Sequence, residues 1–386
     1  MIIRSMLIDR LTKAFRAAYG EEPVRLYAAP GRVNLIGEHC DYNQGLVLPC
    51  AIDRETMIAV GDSDGNHIEA VAVDLNGQRD RFTLSGELPK AAEDWKNHVR
   101  GVAYFLQQRG HVLRPARLTI AGNVPIGAGL SSSASLGVAT GLALSRHSGI
   151  ELDCSELATI AQQAENDFVG CACGIMDQMA SACSVAGTAL LIDCKTMDRQ
   201  PVAISATLSI VIADSGIRRT LTESLFNARR VECEAAARHL GVEALRDLKP
   251  AAVEAGRKSL TDTLYRRARH VVTEIARVEV AIDALKTGDL KLISRLMRQS
   301  HRSLRDDFEV SIPPIDQLVD IIAESIGDRG GVRMTGAGFG GCVVAIMATD
   351  AVEEVVASIE SRASETSDIK ASAEVYMPSQ GAQIVG

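Results

Sequence analysis

This chain contains the segment Asn123-Val-Pro-Ile-Gly-Ala-Gly-Leu-Ser-Ser-Ser-Ala-Ser135, from which much of its architecture can be inferred. A strand-like apolar run, 116–121, precedes the segment, and a helical pattern, 136–144, follows it. Gly127 and Gly129 carry no Cβ atom, so the backbone can wrap closely around an anion. The serines open the helix, where unpaired N–H groups favour phosphate. The segment predicts a phosphate-binding loop, although a serine-capped helix after a glycine turn has the same local pattern.

Length and charge limit the classes of function. The 386 residues are enough for two domains with full cores, and 46% hydrophobic content is typical of a globular protein. A net charge of −8 argues against nucleic acid as a partner. No apolar run approaches the ~18 residues that a membrane span requires, and residues 1–13 lack the core of a signal peptide. We therefore expect a cytoplasmic protein that binds neither nucleic acid nor membrane.

The nine cysteines are scattered through apolar segments. Cys171-Ala-Cys173 is the only close pair, and no second pair follows it at the spacing of a zinc site. The pattern favours buried, reduced thiols over a metal–thiolate centre.

Strand-like and helical patterns alternate along the chain, which predicts the α+β class in two domains. Strands are predicted at 45–52, 56–60, 67–73, 116–121, 188–193, 208–213, 332 and 342–347. Helices are predicted at 95–107, 136–144, 155–168, 223–239, 264–286, 290–304 and 315–326. The polar stretch 195–200 is the predicted boundary between an N-terminal domain, 1–195, and a C-terminal domain, 196–386.

A second candidate segment is Pro30-Gly-Arg-Val-Asn-Leu-Ile-Gly-Glu-His-Cys-Asp-Tyr-Asn43. Glu38, His39 and Asp41 cluster directly after Gly37. Acceptors packed into a glycine-bounded loop suit a ligand with several hydroxyl groups. A solvated polar turn is the alternative.

A third segment, 164–178, holds two carboxylates in apolar surroundings. Glu165 lies at the polar end of a predicted helix, and Asp177 lies among small and apolar residues. Asp177 is either a helix N-cap or a functional carboxylate.

A fourth segment, 332–342, satisfies the pattern G-x-G-x-x-G through Gly336, Gly338 and Gly341. A β-branched run follows the glycines, whereas the dinucleotide-binding fingerprint requires a helix there. The segment therefore predicts a tight loop between two strands, lying against the phosphate loop or the substrate.

In this order and spacing, the glycine-bearing segments resemble the three motifs of the GHMP small-molecule kinases. Within that superfamily, residues 31–43 resemble the N-terminal signature of the galactokinases. Further similarity lies at 95–101, 174–178, 301–309 and 378–381, so the resemblance covers almost the whole chain. It implies a two-domain GHMP fold with the active site in the cleft between the domains. The implied reaction is ATP-dependent phosphorylation of the anomeric hydroxyl of α-D-galactose, by an enzyme we expect to be a monomer.

The resemblance also implies a role for each matching residue. The catalytic residues are the base Asp177 and the arginine Arg32, which stabilises the transition state. The residues implied to bind the sugar are Glu38, His39, Cys40, Asp41, Gly174 and Phe226. Those implied to bind ATP are Trp95, Gly127, Ala128, Gly129, Leu130, Ser131, Ser132 and Ser133. Those implied to bind magnesium are Ser133 and Glu165.

Three positions depart from the family pattern. Cys40 stands where threonine is usual, Gln44 departs from the usual residue, and Phe226 replaces a tyrosine that contacts the sugar. Phe226 leaves open a kinase for a related sugar, such as L-arabinose or an amino sugar. A non-catalytic galactose and ATP sensor is a further alternative, but such sensors lose part of the stretch that is complete here at 131–135.

Overall fold

The computed structural model describes residues 2–217, 222–364 and 371–385, and strands and helices are both abundant in them. The strands are β1 Arg25–Ile36, β2 Leu46–Asp62, β3 His67–Ala72, β4 Gln78–Thr83, β5 Ala116–Gly122, β6 Thr188–Asp193, β7 Arg199–Ala203, β8 Leu208–Asp214, β9 Gly330–Met334, β10 Cys342–Ala348, β11 Ser372–Tyr376 and β12 Gln383–Val385. The α-helices are α1 Ile2–Tyr19, α2 Asp94–Gln108, α3 Ser132–His147, α4 Cys154–Gln163, α5 Met176–Cys183, α6 Thr222–His239, α7 Pro250–Gly256, α8 Asp262–Thr287, α9 Leu290–Asp306, α10 Pro313–Ile326 and α11 Val352–Ser364. Within these residues, no helix has the length and apolar character needed to cross a membrane.

The strands form two separate sheets, one largely and one wholly antiparallel, and helices pack on them, which confirms the predicted α+β class. The first sheet has the order β12-β1-β2-β5-β3-β4, with β6 paired to β2 and β7 to β6. The second sheet has the order β11-β8-β10-β9 and is antiparallel throughout. In the first sheet, β3 and β5 pair in parallel. Helices cover both sheets, so each has a buried core of its own.

The strands predicted at 45–52 and 56–60 form one continuous strand, β2. Of the charged residues between them, Glu55 still pairs with β1, opposite Pro30. The pairing register shifts between Pro30 and Arg32, which gives a local irregularity in place of the predicted break.

The helix predicted at 155–168 changes its winding before it ends. The α-helix α4 stops at Gln163, and a π-helix, Ala164–Val169, completes the segment. π-helical turns are rare and often occur at functional sites. This one carries Glu165, and it ends at Gly170, whose φ of 109° suits glycine.

The predicted boundary stretch, 195–200, lies in the turn and second strand of the β6–β7 hairpin, within the first sheet. The chain reaches the second sheet at Leu208 and returns to the first sheet in β12, which pairs with β1. The two sheets therefore do not separate at residue 195, and the division into domains at that point stays a prediction.

Two of the cysteines are paired, where the sequence predicted reduced thiols. Cys154 at the start of α4 and Cys183 at the end of α5 form a disulfide. Their Cα atoms are 5.3 Å apart, within the usual range for such a bond. Their separation of 29 positions concealed this proximity in the sequence.

A buried arginine joins the second sheet to the first. Arg333 on β9 is fully buried, and its guanidinium donates to the carbonyl oxygens of Asn34 at 2.6 Å and Leu35 at 2.8 Å, both on β1. Its Nη2 atom is 3.5 Å from the carboxylate of Glu38, which is also buried. The two sheets are thus connected through a desolvated, hydrogen-bonded charge.

We expect Arg333→Met to lower the free energy of unfolding by about 3–5 kcal/mol, since it leaves the Glu38 carboxylate buried without its nearest cation on β9. Urea unfolding of the purified variant measures this loss. Arg302→Met is the control, because Arg302 is exposed on α9 and should change stability by no more than about 0.5 kcal/mol. Equal stability of the two variants would contradict the structural role of Arg333.

Candidate active site

A cavity of about 270 Å³ lies where β1, the phosphate loop, α5 and the β9–β10 loop meet. Most of the residues singled out in the sequence line it: Arg32, Glu38, His39, Asp41, Gly127, Gly129, Ser131, Ser132, Ser133, Glu165, Gly174, Asp177 and Phe226. The cavity brings together segments that are about three hundred residues apart in the chain, since its lining runs from Arg32 to Ala337.

Arg32 and Asp177 form a two-pronged ion pair at the centre of the cavity. The Nε and Nη2 atoms of Arg32 donate to the two carboxylate oxygens of Asp177 at 2.7 and 2.6 Å. The Arg32 side chain is 6% exposed and that of Asp177 is 26% exposed, so the carboxylate is the partner open to a ligand. Asp177 is not the N-cap of α5, since Ile175 occupies that position. The capping alternative is therefore wrong.

The phosphate loop packs directly against β1 and the ion pair. The N–H of Arg32 donates to the carbonyl of Leu130 at 3.1 Å, and Arg32 Nη1 donates to the carbonyl of Gly129 at 2.7 Å. Gly31 permits this approach, because a Cβ atom there would lie 2.6 Å from the Leu130 carbonyl oxygen. The hydroxyl of Ser131 donates to Asp177. The loop is thus fixed to the carboxylate that it faces.

Ala128 and Leu130 do not line the cavity, and their predicted part in ATP binding stays a prediction. Both side chains are buried in the core that also contains Val33 and Val124. Their apolar side chains anchor the loop, while the neighbouring glycines and serines face the cavity.

Glu38 is almost fully buried and accepts hydrogen bonds from three sides. Asn34 Nδ2 donates to it at 2.5 Å, the Thr335 hydroxyl at 2.9 Å, and the N–H of Gly336 also donates to it. The loop predicted between β9 and β10 therefore lies against the segment Pro30–Asn43, whose acceptors are predicted to bind a sugar. Two residues of this loop, Gly336 and Ala337, line the cavity.

Asp41 and Gly174 are in direct contact at the cavity wall. A Cβ atom at Gly174 would lie 2.0 Å from a carboxylate oxygen of Asp41, so only glycine leaves room for this carboxylate. Burial, and next the negative charge of Asp177, raise the pKa of Asp41 to about 7. Asp41 is therefore partly protonated near neutral pH.

His39 and Phe226 form part of an aromatic wall. The ring centroids of His39 and Phe226 are 5.6 Å apart, and Tyr42 packs edge-on against Phe226 at 5.2 Å. His39 Nδ1 is 2.8 Å from the Tyr42 hydroxyl, and its backbone has a φ of 61°. Phe226 lines the cavity and Tyr42 does not, so the hydroxyl of the usual tyrosine is missing from the cavity side of this wall.

Cys40 and Trp95 do not line the cavity, and their predicted contacts with the sugar and with ATP stay predictions. Successive residues of this turn point in different directions. The Cys40 side chain is therefore fully buried in the core of the first sheet, with its thiol near the carbonyl of Glu38. Trp95 instead donates through its indole N–H to Gln78 on β4 at 2.8 Å.

Ser133 and Glu165, the predicted magnesium residues, both line the cavity. Glu165 is buried, and its Oε2 atom accepts a hydrogen bond from Gln178 at 2.7 Å. A hydroxyl and a carboxylate are the oxygen donors that Mg²⁺ prefers, and one or two protein ligands are usual when phosphates supply the others. The donor set fits magnesium, although the described residues contain no cluster of three or more acidic, histidine or cysteine side chains able to hold a metal alone.

Several lining residues were not predicted to take part in the site: Cys171, Ala172, Cys173, Met176 and Asn227. Asn227 directly follows Phe226, so its proximity to the predicted sugar residue was the available signal. The Cys171–Cys173 pair was visible in the sequence, but thiols alone did not indicate a position in the cavity.

Comparisons with known proteins agree with this geometry. Residues 97–185 match the family described as the GHMP kinases N terminal domain, and residues 281–365 match the GHMP kinases C terminal family. A mevalonate kinase of Methanococcus jannaschii superposes with a TM-score of 0.65 at 20% identity, covering 92% of this chain and 98% of its own. The Cytophaga hutchinsonii homoserine kinase gives a TM-score of 0.58 at 17% identity, covering 94% and 97%. The fold and the matched domains define a GHMP small-molecule kinase.

Residues 13–62 match the family described as the galactokinase galactose-binding signature. The structure of Lactococcus lactis galactokinase complexed with galactose is 31% identical, covers 99% of this chain and 100% of its own, and has a TM-score of 0.92. The chain belongs to the galactokinase family.

The pKa of Asp41 generates a prediction about stability. Unfolded aspartate has a pKa of about 3.9, so between about pH 4 and 7 the folded chain binds more protons at Asp41 than the unfolded chain does. Stability should therefore fall as the pH rises through this window and should then level off. As the pH rises through the window, the free energy of unfolding of Asp41→Asn should increase by about 1–2 kcal/mol relative to that of the parent. This is less than the full pKa shift implies, because the cavity admits solvent.

Urea unfolding of the parent and of Asp41→Asn at several pH values between 4 and 8 measures the difference. Asp9→Asn, which removes an exposed carboxylate on α1, is the matched control. A difference between parent and Asp41→Asn that stays constant with pH would show that Asp41 titrates normally.

Proposed function

We propose that this galactokinase transfers the γ-phosphoryl group of ATP to the anomeric hydroxyl of α-D-galactose in the described cavity, with Asp177 as general base. The observation that carries the proposal is the Arg32–Asp177 pair. It lies in one cavity, between the phosphate loop and the loop that carries Glu38, His39 and Asp41. Phosphoryl transfer depends mainly on positioning and charge stabilisation, and this arrangement is suited to both.

Asp177 has the remaining capacity that a base requires. A carboxylate offers about four acceptor sites, and Arg32 and Ser131 use three of those on Asp177. One site is left for the hydroxyl proton of the sugar, on the side that is open to the cavity. After proton transfer, the adjacent Arg32 compensates charge on the transferred group.

Sugar hydroxyls would be bound by Glu38, His39 and Asp41, with Gly174 closing the wall behind Asp41. Phosphate groups would be bound by the backbone around Gly127 and Gly129 and by the serines at the start of α3. Magnesium held by Ser133 and Glu165 would supply charge neutralisation between the phosphates of ATP.

The remaining expectations belong to this proposal as well. We propose that the protein acts as a monomer in the cytoplasm, and that it divides into an N-terminal domain, 1–195, and a C-terminal domain, 196–386. A kinase for another sugar stays as the second candidate function, because Phe226 replaces the usual sugar-contacting tyrosine.

Asp177→Asn should lower kcat by about 10²–10⁴ while sugar binding stays near normal, since the amide keeps the shape but cannot accept the proton. Turnover is measured by ATP consumption and galactose affinity by calorimetry. Asp350→Asn, an exposed change in the 3₁₀ turn that follows β10, should leave both values unchanged. Near-normal turnover of Asp177→Asn would remove Asp177 as the base.

Glu165→Gln should raise the magnesium concentration needed for half-maximal activity and for tight nucleotide binding, because it removes a negatively charged oxygen ligand. Galactose affinity should change little. The control is Asp167→Asn, which removes an exposed carboxylate from the same π-helix. If both variants show the parent's magnesium titration, Glu165 serves only the helix and Gln178.

Phe226→Tyr tests the second candidate function. One restored hydrogen bond is worth about 0.5–1.5 kcal/mol, which is a few-fold to about tenfold in affinity. We expect kcat/KM for galactose to rise or stay level, because the base and the metal residues are untouched. Negligible galactose turnover in both forms, with another sugar used by the parent and lost in the variant, would establish a changed specificity.

A further inference from the structure

Two cysteine thiols belong to the wall of the cavity and have no part in the mechanism above. Cys171 and Cys173 are half-buried, both are reduced, and both line the cavity beside Glu165 and Asp177. Oxidants that reach the sugar site can therefore reach these thiols.

The local backbone brings the two cysteines together. The N–H of Cys173 donates to the carbonyl of Cys171 at 2.8 Å, which closes a three-residue turn around Ala172. The turn folds the two cysteine positions toward each other, and their thiols lie within hydrogen-bonding reach. Neither thiol has to cross the cavity to meet the other.

We propose that Cys171 and Cys173 form an oxidant-sensitive dithiol site, which takes a peroxide as its co-reactant, closes to a disulfide and arrests phosphoryl transfer until a thiol reduces it. The effect on turnover rests on the proposed function, whereas formation of the disulfide does not.

The chemistry balances in two steps. One thiol attacks hydrogen peroxide, its sulfur becomes a sulfenic acid and a molecule of water leaves. The second thiol then attacks the sulfenic sulfur, the S–S bond forms and a second water leaves. Two thiols lose two electrons and two protons to the peroxide, and a dithiol such as dithiothreitol reverses the change by exchange.

The contacts of Cys173 explain why the disulfide would stop the reaction. Its Sγ atom lies 3.1 Å from Asn166 Oδ1 and 3.5 Å from Gln178 Nε2. Gln178 in turn donates to Glu165, the proposed magnesium residue. Drawing the sulfur toward Cys171 disturbs this chain of contacts.

The next residue after Cys173 is equally constrained. Gly174 touches the carboxylate of Asp41, and Asp177 follows three residues later. A shift of about 1 Å near reacting groups can cost about a hundredfold in rate. A change confined to residues 171–173 is therefore sufficient to reach both the sugar carboxylate and the base.

The other cysteines of the described chain are placed differently. Cys40, Cys50, Cys233 and Cys342 are buried, and Cys154 and Cys183 are already paired. Cys194 is half-buried but does not line the cavity, which makes it the matched control.

The test treats the full-length protein with hydrogen peroxide, with and without galactose, and compares the parent with Cys171→Ser, Cys171→Ala and Cys194→Ser. Turnover is measured before and after dithiothreitol. Peptide mass spectrometry looks for the loss of two hydrogen masses from the peptide that contains residues 171–173.

We expect the parent and Cys194→Ser to lose at least about 90% of their turnover, to regain it with dithiothreitol and to be protected by galactose. Both Cys171 variants should retain activity after peroxide. Absence of the 171–173 disulfide, its formation without loss of turnover, or equal inactivation of the Cys171 variants would each overturn the proposal. If the untreated parent does not phosphorylate galactose, the proposed function fails instead, and disulfide formation is still read from the peptide masses.

Discussion

The structure depends on one buried carboxylate that receives hydrogen bonds from both sheets. Glu38 follows β1 of the first sheet, and the Thr335 hydroxyl and the Gly336 N–H donate to it from the β9–β10 loop of the second. An ionised group removed from water is stable only when such donors and a nearby cation are present, and Arg333 is that cation. The two halves of the molecule are therefore held in the relative position that satisfies Glu38. The cavity exists because this arrangement leaves a space beside it.

The charged side chains that line the cavity determine one another's ionisation. Asp41 and Asp177 both face the cavity, and two carboxylates cannot be ionised side by side without cost. Arg32 holds Asp177 with two hydrogen bonds, whereas burial and the charge of Asp177 raise the pKa of Asp41. Two chemically identical side chains thereby acquire different properties. One is suited to accepting a proton, and the other can either donate or accept a hydrogen bond to a sugar hydroxyl near neutral pH.

The sequence predicted those features that are local, and it failed where the outcome depends on distant neighbours. The phosphate loop, the glycine loop after Val332 and most of the helices follow from short patterns that fix backbone geometry. The Arg32–Asp177 pair joins residues 145 positions apart, and it was reached through family resemblance alone. Cys40 and Trp95 do not line the cavity, because a motif gives the position of a residue and not the direction of its side chain, and their roles stay predictions. The π-helix at Glu165 has no pattern of its own, since the same apolar spacing also suits an α-helix.

The loop between the π-helix and α5 shows how the backbone positions Asp177, the proposed base. Asn166 accepts from the N–H of Cys173 at 3.0 Å and donates to its carbonyl at 3.1 Å, so the π-helix fixes the peptide groups on both sides of Cys173. Gly174 then approaches Asp41 so closely that no side chain fits between them. One end of this loop is hydrogen-bonded to Asn166, and its middle packs against Asp41. These contacts fix the point at which α5 begins, and Asp177 in the first turn of α5 is thereby placed against Arg32. Asp177, the proposed base, is therefore positioned from two directions, by an ion pair on one side and by packed backbone on the other. A conformational change that reaches Asp177 has to move this loop first.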